Sequence, residues 1–266
     1  MGNVVNSLAF PVPNTEFTSE FVKDHACTVW LSCTPAMRVP AMYVRPQRTP
    51  RRFTLLFSHG NGEDIGLLMH SQFLNRLANV TGCALLAYEY PGYSAADGTP
   101  SERNCYKAVQ AAAEWLEKEK GVRKEDIVVV GRSLGSGPSV DLCSKSPGQY
   151  AGLALISPIE SGARAVFNKT TSRVGYLMDI FRNYEKISKC KVPTLIMHGD
   201  KDEVVPVENG QNLWGLVNEQ DQFKAIWIPG KGHNNIETMT CANALKQLID
   251  HLDRGGGGSR RGSQDK

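Results

Sequence analysis

The chain has 266 residues, 41% of them hydrophobic and 21% charged, an ordinary globular composition with enough apolar material for a sizeable core. Its formal charge of +3 is too weak to argue for nucleic acid as a partner. No apolar run approaches the ~20 residues of a membrane span, and the N-terminus lacks the apolar core of a secretory signal. The 7 cysteines (27, 33, 83, 105, 143, 190 and 241) form no CxxC pair or zinc-like cluster, so they read as reduced, mostly buried thiols of an intracellular protein.

In chain order, residues 1–25 are polar and mixed and read as an N-terminal extension. "CTVWLSC" and "MRVPAMYV" form an opening hairpin turning at Thr34-Pro35, followed by a proline-broken basic loop, "RPQRTPRR". "FTLLFS" is a continuous apolar strand ending at His59-Gly60. "EDIGLLMHSQFLNRLANV" places Ile65, Leu68, Met69, Phe73 and Leu77 at helical spacing. "CALLAYEY" is a strand, and the stretch from Ser101 to Gly121 a helix with a capping serine and a closing glycine. "DIVVVG" is a strand and 134–146 a helix; further strands fall at 150–157, 193–199 and 223–229, and helices at 207–217 and 235–253. Unbroken Val/Ile/Leu strands alternating with helices imply an α/β fold, with a mostly parallel sheet covered on both faces. One domain spans 26–254, with a small cap at 158–190; the glycine-rich basic tail 255–266 is expected to be flexible. In such sheets ligands bind beyond the carboxyl ends of the strands.

One stretch there is specific. "DIVVVGRSLGSGPSV" runs a strand into Gly131-Arg-Ser133-Leu134-Gly135 and on into a helix, the context of a nucleophile elbow. A serine needs a base, and the base an orienting carboxylate. In this fold they follow in the order Ser, Asp or Glu, His. His233 lies in the glycine-flanked loop "IPGKGHNNIE" after the last core strand, where a base belongs. His25 and His59 precede the serine, His70 and His251 sit on helices, and His198 ends a strand as a satisfied structural histidine. In "LIMHGDKDEVVP" both Asp200 and Asp202 qualify as the acid. Asp202 is preferred, because the turn must complete before a carboxylate faces the histidine; Asp200 can cap that turn. Oxyanion donors are expected from the amides of Leu134 and Asn61, with Gly62 the neighbouring alternative and His59 bracing the loop.

With these segments placed, the chain resembles the α/β-hydrolase superfamily, and more narrowly the α/β-hydrolase domain-containing protein 17 family. The resemblance rests on "LFSHGN", "YEYPGYSAADGTPSERN", "GRSLGSGPSVDL", "ISPIESGARAVF", "HGDKDEVV" and "GKGHNNIE", and covers roughly residues 27–253. It implies an α/β-hydrolase fold and a serine hydrolase acting as an acyl-protein thioesterase (depalmitoylase) on membrane-associated proteins. Ser133 would be its nucleophile, Asp202 its acid and His233 its base, with no metal or organic cofactor. Its partners would be S-acylated proteins.

Animal members of the family carry a lipidated N-terminal cysteine cluster, whereas the first cysteine here is Cys27, in a predicted strand. "MGNVVNS" offers Gly2 as a myristoylation site instead, although Asn6 stands where Ser or Thr is usual. One myristoyl chain binds membranes marginally, so Arg45, Arg48, Arg51 and Arg52 are the candidate second signal for the cytoplasmic membrane face. The long connection after Ser157 carries Val166, Phe167, Val174, Leu177, Met178 and Phe181, which are expected to line an acyl groove under the cap; one core-packing crossover helix is the plainer reading. An esterase for small acyl esters would use the same triad, and a non-catalytic interaction protein would lack a triad member.

Overall fold

In the computed structural model, which describes residue 10, residues 16–166 and residues 179–256, the apolar runs become eight strands. They are β1 (Thr28–Thr34), β2 (Met37–Val44), β3 (Thr54–Ser58), β4 (Ala84–Tyr88), β5 (Ile127–Arg132), β6 (Gly152–Ile156), β7 (Thr194–Gly199) and β8 (Gln222–Ile228). They form one sheet in the order β1-β2-β4-β3-β5-β6-β7-β8. The β1–β2 and β2–β4 pairings are antiparallel, and every other pairing is parallel. The described α-helices are α1 (Glu16–Asp24), α2 (Ile65–His70), α3 (Phe73–Thr81), α4 (Glu102–Lys120), α5 (Ser136–Lys145), α6 (Gly162–Val166), α7 (Glu208–Leu216) and α8 (Thr238–Gly256).

Alternate strand residues feed opposite faces of the sheet. Leu56, Leu86, Val129, Leu155 and Ile196 pack with Ala112 and Leu116 of α4, Val140 of α5 and Leu213 of α7. Leu55, Phe57, Leu85, Val128 and Val130 pack with Ile65 of α2, Leu74 and Leu77 of α3, and Leu245 and Leu248 of α8. Burial on both faces is why these strands read as unbroken apolar runs.

This division positions the site. Neighbouring strands β3 and β5 send their chains to opposite faces, β3 into α2 and β5 into α5. The loops therefore part at their carboxyl ends and open a crevice, the switch-point geometry of open α/β sheets.

The structure departs from the sequence reading in several places. The single helical stretch at 63–80 is two helices, α2 and α3, because Gln72 takes a left-handed conformation with φ 63° between them. The extension 1–25 is not wholly peripheral: Phe10 and Val22 are buried, Phe10 stacking edge-on with Phe181 at 6.0 Å and Val22 joining the α2/α3/α8 core. The last helix runs through Gly256, so the first two residues assigned to the tail continue it. Of the four arginines offered as a basic patch, Arg51 pairs with Asp250 and Asp253, and Arg52 lies near Asp126. Arg45 and Arg48 remain exposed.

Candidate active site

The serine stands on a turn whose geometry its neighbours dictate. Ser133 has φ 51°, a left-handed conformation unfavourable for a residue with a side chain, held between β5 and the helical run entering α5. The two glycines let the chain turn back on itself. A Cβ on Gly131 would lie 2.6 Å from the Gly135 carbonyl oxygen, and one on Gly135 would collide with the carbonyl of Ser58 in β3. Gly-x-Ser-x-Gly is thus the spacing at which strand, elbow and helix can pack this tightly.

The hydroxyl of Ser133 lies 2.9 Å from Nε2 of His233, and Nδ1 of His233 lies 2.7 Å from Oδ2 of Asp202. All three residues are buried, from three loops beyond the carboxyl ends of β5, β7 and β8. Asp202 Oδ1 accepts the backbone N–H groups of Val204 and Val205 at 3.0 and 2.8 Å. Burial acts to raise the Asp202 carboxyl, yet hydrogen bonds from His198, His233 and the Val205 amide outweigh it and hold the group well below the usual carboxylate range. With Asp202 ionised, the Nδ1 proton of His233 is fixed toward it, and Nε2 is left to accept from Ser133. Asp200 does not join the group; its Oδ1 receives the Gly230 N–H at 2.7 Å.

The β3–α2 loop is braced as a unit. His59 is fully buried, with Nδ1 2.8 Å from the Gly60 carbonyl and Nε2 2.9 Å from Oε1 of Glu89. Glu89 also accepts the N–H groups of Ile65 and Tyr90. The Tyr90 hydroxyl donates to the His59 carbonyl at 2.6 Å, and that of Tyr93 to Oδ1 of Asn61 at 2.8 Å. Glu63 accepts the Gly60 N–H and pairs with Arg132, beside Ser133. Tyr93 thereby fixes the Asn61 side chain, and Asn61, Ser133 and Leu134 line one cavity. Leu134 lies in the first turn of the helical run, where amides lack internal partners.

That cavity has a volume of about 180 Å³, and its remaining wall is Ile159, Gly162, Ala165, Ile180, Phe181, Val204 and Val205. Of the residues expected in an acyl groove, Phe181 is present, fully buried, and wedged between Phe10 and Tyr106 at ring distances of 6.0 and 5.7 Å. Phe167, Val174, Leu177 and Met178, the side chain of Val166, and Gly2 lie outside the described residues. Sequence reasoning missed Ile159, Ile180 and the Val204-Val205 pair; the last follows Asp202 directly and could have been found as the apolar flank of the acid loop. Among the described residues no group of three or more His, Cys, Asp and Glu side chains is arranged to hold a metal ion, and no helix is long and apolar enough to cross a membrane.

Comparison with known proteins agrees with this architecture. The profile of the prolyl oligopeptidase family matches residues 99–255, and that of the Chlamydia CHLPS protein (DUF818) family residues 38–143. Among solved structures, Est1E from Butyrivibrio proteoclasticus superposes with a TM-score of 0.68 at 17% identity, over 86% of this chain and all (100%) of that one. The α-β hydrolase from Vibrio vulnificus gives a TM-score of 0.68 at 20% identity, over 96% of this chain and 91% of that one. Alpha/beta hydrolase domain-containing protein aho-3 of Caenorhabditis elegans is 40% identical over 214 residues, which are 80% of this chain and 62% of that protein's length. Alpha/beta hydrolase domain-containing protein 17B of Homo sapiens is 38% identical over 213 residues, covering 80% of this chain and 71% of the relative. The chain therefore belongs to the α/β-hydrolase domain-containing protein 17 family, within the α/β-hydrolases.

Proposed function

We propose that the protein is a serine hydrolase of the acyl-protein thioesterase type, which releases S-acyl groups from the cysteines of membrane-associated proteins. The observation that carries the reading is the Ser133–His233–Asp202 chain of contacts at 2.9 and 2.7 Å, opening onto a cavity with apolar walls. His233 takes the Ser133 proton as Oγ attacks the thioester carbonyl. The oxyanion forms against the backbone amides of Leu134 and Asn61, each such donor being worth about 10²–10³ in rate. His233 then passes its proton to the leaving thiolate. Water, deprotonated by the same imidazole, attacks the acyl-serine ester, freeing the acid and restoring the Ser133 hydroxyl. Asp202 holds the tautomer and stabilises the imidazolium throughout.

Apolar side chains around the serine support an acyl substrate, and the resemblance carried by the sequence motifs implies the protein thioester. Peripheral attachment to the cytoplasmic membrane face through Gly2, aided by Arg45 and Arg48, belongs to the same proposal. One observation favours a second reading, an esterase for small acyl esters: the cavity of about 180 Å³ is smaller than the ~300–1,000 Å³ typical of ligand pockets. Turnover of an S-palmitoylated peptide against a short-chain soluble ester separates the two. The thioesterase reading expects the palmitoyl peptide to have the higher kcat/KM; preference for the short ester would favour the second. In either case Ser133→Ala should cut kcat by as much as ~10⁶, and an unchanged rate would remove both.

A further inference from the structure

The acid of the site has a second histidine. We propose that His198 is a positioning residue for Asp202: its Nε2–H shares one carboxylate oxygen with His233 and so limits the pull of Asp202 on the general base. The inference rests on the serine-hydrolase reading of this site.

Asp202 Oδ2 lies 2.7 Å from Nδ1 of His233 and 3.1 Å from Nε2 of His198. The same Nε2 lies 2.9 Å from the Val205 carbonyl oxygen. A carbonyl only accepts, so Nε2 of His198 carries the proton and donates to both oxygens. Among the described residues His198 Nδ1 is buried without a hydrogen-bond partner. Gly210 of α7 closes that side: a Cβ there would come within 2.6 Å of Nδ1, with the Trp227 ring from β8 next to it. The two acceptors facing Nε2 hold the proton of His198 on that nitrogen.

Asp202 consequently receives four donors, two on each oxygen: the Val204 and Val205 amides on Oδ1, and the two imidazoles on Oδ2. The carboxylate is pinned in its plane, and part of the charge of Oδ2 is spent on His198. Hydrogen bonding from His198 is the foremost influence opposing burial in keeping the Asp202 carboxyl below its ordinary range. The titratable groups facing this carboxylate are His198 from β7 and His233 from the loop after β8. Asp200, Lys201 and Glu203 of the same turn are exposed.

Removing the His198 donor has a determined sign. The charge of Oδ2 then falls on His233 alone, the imidazolium gains, and His233 holds its proton to higher pH. The acid limb of the rate profile therefore moves up in pH, a change that mere loosening of the fold would not produce.

The test compares His198→Leu, which loses the donor, with His198→Gln, whose amide N–H can reach the same oxygen. Rates on a soluble acyl ester are expressed per serine labelled by a fluorophosphonate. The Leu variant should lose about tenfold in kcat at nearly constant KM, with its acid limb shifted to higher pH; the Gln variant should return the limb toward the wild type. A Leu variant with wild-type kcat per labelled site and an unmoved limb would overturn the proposal. If the Leu variant does not fold, ¹⁵N NMR of the histidines in the wild-type chain decides. A proton on Nε2 of His198 is expected, and its absence there refutes the proposal. A wild-type chain that the fluorophosphonate does not label contradicts the serine-hydrolase reading itself.

Discussion

Two buried histidines with carboxylate partners, His59 and His233, flank the crevice, and they are chemically opposite. In the β3–α2 loop, His59 points Nδ1 at the Gly60 carbonyl and Nε2 at Glu89. Glu89 already accepts two backbone N–H groups and faces His59 as an acceptor, as the Gly60 carbonyl does, so both nitrogens of His59 donate. Burial acts to lower the proton affinity of His59, but Glu89 overcomes it and raises the imidazole above its ordinary value. In the acid–base loops, His233 gives one N–H to Asp202 and turns the other nitrogen to a hydroxyl. A carboxylate neighbour is common to both. What makes one imidazole a base and the other a brace is the partner of its second nitrogen: an acceptor for His59, a proton donor for His233.

The largest effect is expected at the base: Asp202→Asn should lower kcat by about 10⁴, through loss of the correct His233 tautomer, and a kinetic assay against the wild type checks it. At the brace the effect should appear in stability. Glu89→Gln strands the charge of His59 in the core and should cost ~3–5 kcal/mol of unfolding free energy, measured by denaturant titration. The two pairs also respond to pH with opposite signs. The depressed Asp202 carboxyl contributes stability above the ordinary carboxylate value of ~3.9, which is lost as pH falls through its folded value. The raised His59 contributes stability below ~6.5, which is lost as pH rises through its folded value. The stability gap between wild type and Asp202→Asn should therefore narrow on acidification, and that between wild type and Glu89→Gln on moving to alkaline pH. The smallest effect is expected at Tyr93→Phe, which frees Asn61 from one neutral hydrogen bond worth ~1 kcal/mol and should slow turnover a few-fold without changing the fold.

The pairs also differ in how much of each the amino-acid sequence discloses. Ser133 is legible because its glycines stand where a Cβ would strike backbone, and strand and helix signals bracket the motif. His233 and Asp202 follow because each lies just beyond a core strand in the right order. The brace is much less legible. His59 was expected to steady the loop, but its partner Glu89 sits at the end of "CALLAYEY", where a carboxylate in sequence looks like a solvated strand terminus. Only the parallel pairing of β3 with β4 brings it under His59. His198 reads as satisfied, whereas its Nδ1 is buried without a partner among the described residues; that orphan arises from α7 packing through Gly210, a contact no local pattern encodes. The break at Gln72 was hidden because the apolar spacing continues across it, while one left-handed residue redirects the chain. The burial of Phe10 is equally non-local: its partner Phe181 lies 171 residues away in the numbering.

The central claim is that the Ser133 hydroxyl is the nucleophile and His233 its base. The most direct measurement is peptide mapping by mass spectrometry of the full chain after reaction with a fluorophosphonate, beside a His233→Gln variant. A single covalent adduct on Ser133 is expected in the wild type, with much slower adduct formation in the variant. An adduct on another residue, or equal labelling rates in the two proteins, would contradict the claim.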